Sequence, residues 1–92
     1  MPRKPLPPGD TEHGRRLGAH LGRVREGTGL SAQALATEAH LSIDTVRSVE
    51  SGRVPTPAFL TVARLAAALG QSLDDLHEIA SGPSTASNAD LP

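Results

Sequence analysis

Ninety-two residues are enough for one small domain and too few for two. Hydrophobic residues make up 37%, mostly Ala and Leu, Phe59 is the sole aromatic and cysteine is absent, which excludes a disulfide framework and any thiolate-bound metal. The net charge is −1 but unevenly spread: residues 1–53 balance at +2, and residues 54–92 set Arg64 against Asp74, Asp75, Glu78 and Asp90, so a polyanion would approach the N-terminal half.

The first ten residues, MPRKPLPPGD, hold four prolines and little to bury, and read as a disordered arm over residues 1–10. The domain is expected over residues 11–80. A first helix spans about Thr11 to Gly27, with Leu17, Leu21 and Val24 on one stripe. The GTG at residues 27–29 ends it. A second helix opens at Ser31, a good N-cap, and runs to Ala39 with Leu35, Ala36 and Ala39 inward. A third opens at a second serine cap, Ser42, and stops at Ser51 before Gly52. The RVPTP stretch blocks its continuation. A fourth helix is expected from Thr56 to Leu69, Pro57 in its first turn, with Phe59, Val62, Leu65, Ala66 and Leu69 inward. A fifth begins at Ser72, followed three residues on by Asp75, and carries Leu73, Leu76 and Ile79. Residues 81–92, SGPSTASNADLP, read as a disordered tail. No apolar run approaches the ~20 residues of a membrane span and no signal-peptide core is visible, so the expected setting is the cytoplasm, with no membrane partner.

The second and third helices have roughly nine residues each, too short to stand alone. They must lean on the first and fourth. Joined by AHLS, at residues 39–42, they make a helix-turn-helix. On a helical wheel Val46 and Val49 point to the core. Ile43, Asp44, Arg47 and Ser48 share the opposite flank with Ser51. Such a flank suits base reading: Arg pairs with guanine, an apolar side chain meets a thymine methyl, and a carboxylate accepts from a cytosine amino group. Arg47 could instead pair with Asp44 as an i+3 neighbour. Arg53, just past the helix, is placed to touch phosphate.

These residues resemble the phage-repressor family of helix-turn-helix domains, also called Cro-like or XRE. The resemblance covers about Leu17 to Leu76. It rests on Leu30–Ser31, Leu35–Ala36, Ala39, Leu41, Ser42, Val46, Val49, Glu50–Gly52, the proline that follows, AAALG at 66–70 and SLDDL at 72–76. It implies an all-α, five-helix, lambda-repressor-like fold whose third helix enters the major groove while the second crosses the backbone. It also implies a partly buried ion pair between Arg25 and Glu50. The chain departs from the family pattern twice. A glutamine that often opens the second helix is replaced by Ala32, with Gln33 one place later, and the turn glycine is His40.

The expected function is a sequence-specific DNA-binding transcriptional regulator acting as a homodimer on double-stranded DNA. Ile43, Asp44, Arg47 and Ser48 are the base-reading candidates, and Ser31, Gln33, Ser42, Ser51 and Arg53 the backbone contacts. Leu73, Leu76 and Ile79 are the candidate dimer surface. The alternative is a protein-binding module, such as an antitoxin, built on the same fold. Catalysis is not expected. His13, His20, His40 and His77 lack metal-ligand spacing, no phosphate-binding loop follows a strand, and no cofactor is implied.

Overall fold

The computed structural model describes residues 8–82; residues 1–7 and 83–92, which take in most of the expected arm and tail, lie outside the described residues. Five helices follow one another: α1 (Pro8–Gly27), α2 (Ala32–Ala39), α3 (Ile43–Glu50), α4 (Phe59–Leu69) and α5 (Leu73–Ser81). α1 starts with a proline, whose fixed φ suits a first turn, and so takes in residues 8–10, which read in the sequence as arm.

Serines set three of the four later boundaries. Ser31, Ser42 and Ser72 each sit in extended backbone, and each hydroxyl accepts from the amide three residues on: Ala34 at 3.0 Å, Thr45 at 3.1 Å and Asp75 at 3.0 Å. Such a bond satisfies an amide that the helix leaves unpaired and is worth about 1 kcal/mol. α4 has no such cap. It begins at Phe59 after Ala58, three residues later than Thr56, the expected start, and no side chain bonds its first turn.

α1 packs on α3 and α5, α2 bridges α3 and α4, and α4 touches α5. The core is Leu17, Leu21, Leu35, Ala36, Ala39, Val46, Val49, Leu65, Ala66, Leu69, Leu76 and Ala80. Two expectations about α4 and α5 fail. Phe59 is 73% exposed rather than buried, because it stands on the first turn of α4, beyond the end of the core. Leu76, expected on the dimer surface, is 2% exposed and belongs to the core; α5 turns it inward with Ala80, four residues on, and leaves Leu73 and Ile79 outside.

α1 comes against α3 at main-chain level. Gly14, Gly18 and Gly22 recur every four residues on one face. A Cβ on Gly18 would overlap the Val49 carbonyl oxygen, one on Gly14 would stand 2.7 Å from Pro55 Cα, and one on Gly22 would meet Glu50 Oε1 at 3.6 Å. Hydrogen is the only side chain that fits at the first two.

Candidate nucleic-acid interface

The turn between α2 and α3 fixes how α3 is presented. His40 adopts φ 58°, ψ 44°, a left-handed conformation that L-residues avoid and His tolerates better than most. Its amide and that of Leu41 return to the α2 carbonyls, Leu41 to Ala36 at 2.9 Å. Arg64 of α4 donates to the His40 carbonyl at 3.4 Å, tying the outside of the turn to the fourth helix.

The rear of α3 is fastened by an ion pair. Arg25 Nε donates to Glu50 Oε2 at 2.7 Å and Nη2 to Oε1 at 3.1 Å, a two-pronged contact, while Nη1 donates to the Leu30 carbonyl at 2.9 Å. Each side chain is 15% exposed. The hydrogen bonds that Arg25 donates to Glu50 raise it above the usual arginine range, outweighing a desolvation that lowers it, with the charges of Glu50 and Glu26 adding to the rise. The pair joins α1, the loop before α2, and α3. Its role is architectural.

The front of α3 faces outward. Asp44, Arg47, Ser51 and Arg53 are exposed, and the Arg47 guanidinium has no hydrogen-bond or ion-pair partner among the described residues. Asp44 pairs with Arg53 at 3.7 Å, not with Arg47. Sequence spacing missed that pair because it spans a loop; no helical periodicity relates positions 44 and 53. Ile43 is half-buried and packs against the core with part of its side chain. Ser42, which caps α3, also bonds Thr45 Oγ1 at 2.8 Å. Ser31 and Gln33 stand exposed at the start of α2.

Ser48 departs from its expected place. It is 8% exposed, and its hydroxyl accepts a hydrogen bond from Arg53 Nη2. The chain after α3 folds back over this part of the flank, so that Val54, Pro57, Ala58 and Thr61 close a cleft of about 170 Å³ against Asp44, Thr45, Ser48 and Val49. Ser48 is therefore covered, its hydroxyl engaged by Arg53 instead of standing open on the front of α3. The wheel gave the direction of the side chain but not the path of the loop that covers it.

Leu73 and Ile79 are exposed, and with Phe59 and Leu60 they are the large apolar side chains left outside among the described residues. Phe59 and Leu73 line a groove of about 490 Å³ with His13, Leu17, Pro57 and Val62 among others; Leu60 and Ile79 do not. Among the described residues no group of three or more His, Asp or Glu could hold a metal ion, and no helix is long and apolar enough to cross a membrane.

A short second helix, a tight turn and an outward-facing third helix are the parts of a helix-turn-helix, and the family model described as a helix-turn-helix domain matches residues 16–79. The chain belongs to the helix-turn-helix domain family. This helix-turn-helix domain is similar to the crystal structure of the clp gene regulator ClgR from C. glutamicum, with a TM-score of 0.67 and 28% identity over 89% of this chain and 96% of that one. No curated protein matches the chain. The architecture is all-α, with five helices and the lambda-repressor-like arrangement.

Proposed function

We propose that this helix-turn-helix domain is a sequence-specific DNA-binding transcriptional regulator that works as a homodimer. The observation that carries the reading is Arg47: an exposed guanidinium without a partner among the described residues, on the front of a serine-capped helix whose rear is locked. In the major groove such a side chain takes guanine with two hydrogen bonds. Asp44 is beside it, an acceptor for a cytosine amino group, and the outer part of Ile43 is available to a thymine methyl. Ser31, Gln33, Ser42, Ser51 and Arg53 rim this front and suit phosphate contacts, which set register rather than sequence. ClgR is described as a gene regulator, and a chain that spans nearly its whole length in a similar fold suits the same class of work. The setting that goes with this role is the cytoplasm.

One recognition helix reads only a few base pairs. Two copies on half-sites about 34 Å apart multiply the specificity, and Leu73 and Ile79, with Phe59 and Leu60, supply an apolar surface for the second copy. The groove that Phe59 and Leu73 line favours a second reading, in which it holds a segment of another protein.

The test is selection of bound duplexes from random DNA, followed by affinity measurements across salt. We expect one recurrent, two-fold-related sequence, an affinity that falls steeply with salt, and a loss of about 10-fold or more on Arg47→Ala with relaxed preference at one base pair per half-site. Recovery of no preferred sequence, or a salt-independent affinity, would reject the reading in favour of the protein-binding one.

A further inference from the structure

Ser48 is the one polar side chain that is buried among the described residues. Its residue is bound twice by Arg53. The Arg53 amide donates to the Ser48 carbonyl at 3.1 Å, and the Arg53 guanidinium donates through Nη2 to the Ser48 hydroxyl. A third tie runs from the Arg53 amide to Ser51 Oγ at 3.3 Å, and a fourth from Nη2 to the Asp44 carboxylate at 3.7 Å. An arginine on a loop loses much rotamer freedom when it is ordered. Here both ends of the residue are already held against α3 in the free protein.

The guanidinium is nonetheless 65% exposed along its side chain. It has five N–H donors in a planar fork, and the contacts to Ser48 and Asp44 both use Nη2. Nε and Nη1 remain for another acceptor, and a phosphate oxygen pair is the acceptor that this fork matches. The Asp44 carboxylate, 88% exposed, would by itself repel the phosphates flanking the groove, and the Arg53 charge beside it offsets that repulsion.

We propose that Ser48 is a positioning residue: it does not touch DNA, but holds the Arg53 guanidinium along the front of α3, so that Arg53 meets a phosphate while Asp44 and Arg47 meet bases. This rests on the DNA-binding reading above. It gives Ser48 a role distinct from base reading, and it makes the recognition surface a linked set in which a buried hydroxyl sets an exposed cation.

The experiment uses the full chain and a duplex recovered by the selection above. Dissociation constants are measured across salt for the wild type, Ser48→Ala, Arg53→Ala, Arg53→Lys and the Ser48→Ala/Arg53→Ala double variant. Arg53→Ala should weaken binding about 10-fold and lower the salt slope by about 0.9, one phosphate contact. Ser48→Ala should weaken it about 3- to 5-fold, and the double variant should bind no more weakly than Arg53→Ala alone, because Ser48 acts through Arg53. Arg53→Lys should keep the salt slope yet bind about 3-fold more weakly, since a lysine keeps the charge without the planar fork. Losses that multiply in the double variant, an undiminished affinity in Ser48→Ala, or a lysine as good as arginine would each overturn the assignment. If Ser48→Ala does not fold, Ser48→Cys, which keeps the size of the side chain and removes the hydroxyl acceptor, takes its place alone and in the double variant, with the same outcomes deciding. A wild type that selects no duplex removes the DNA reading and this proposal together. A wild type that binds while the variants behave additively removes the proposal only.

Discussion

His40 holds the turn of the motif in a conformation that glycine adopts without strain. A left-handed backbone costs an L-residue about 1–2 kcal/mol, and glycine's extra freedom in the unfolded chain takes back about 0.5–1 kcal/mol of any gain. His40→Gly should therefore stabilise the domain slightly, raising Tm by about 3–5 °C, while His40→Val should lower it; thermal unfolding of the two variants checks both signs. The Arg25–Glu50 pair allows a sharper test. Arg25 is held above the usual arginine range, so the stability that it contributes is complete below that range and is lost only as the pH rises past the folded-state value. Arg25→Gln leaves Glu50 largely buried and unpaired, at about 3 kcal/mol. The Tm gap between wild type and Arg25→Gln should be the same at pH 7 and pH 10. A gap that closes between those values would mean that the pair is not the source of the loss.

At the scale of the helix, the glycine face of α1 is what lets α3 sit so close. Gly18→Ala would push a methyl group into the Val49 carbonyl oxygen, a backbone atom that cannot rotate away. We expect a loss of about 2–3 kcal/mol, read as a fall in Tm, whereas Gly27→Ala, at a position with nothing within 4 Å, should cost little. Most element boundaries were legible in the sequence, because the signals are local. Ser31, Ser42 and Ser72 each bond an amide three residues away, and the apolar stripe of α1 needs only its own periodicity. What failed depends on the path of the irregular chain between α3 and α4, which helical periodicity does not describe. Ser48 is covered by the return path of residues 51–58, and Phe59 is left outside because α4 starts later than Pro57 suggested. Within the candidate site, Arg47 and Asp44 were readable as an outward pair of positions. That Asp44 pairs with Arg53 was not, because a loop with a left-handed glycine at Gly52 brings them together.

Across the described residues two surfaces differ in chemistry. The front of α3 is polar and charged, whereas the α4–α5 side is apolar around Phe59, Leu60, Leu73 and Ile79. If the second surface pairs two copies, Leu73→Asp with Ile79→Asp should shift the chain to monomers in a sedimentation experiment and leave helix content unchanged, since neither residue belongs to the core. Affinity for a two-half-site duplex should fall with it, and affinity for a single half-site should not. Loss of both affinities alike would place these residues at the duplex rather than between protomers. The way α3 is mounted also bears on retargeting. Its last residues are clamped by Gly18 and Arg25, while Asp44 and Arg47 contribute nothing to the interior. On the proposed reading, a library randomised at Arg47 should vary the preferred duplex without disturbing the frame that carries it, whereas changes at Asp44 also release the Arg53 guanidinium.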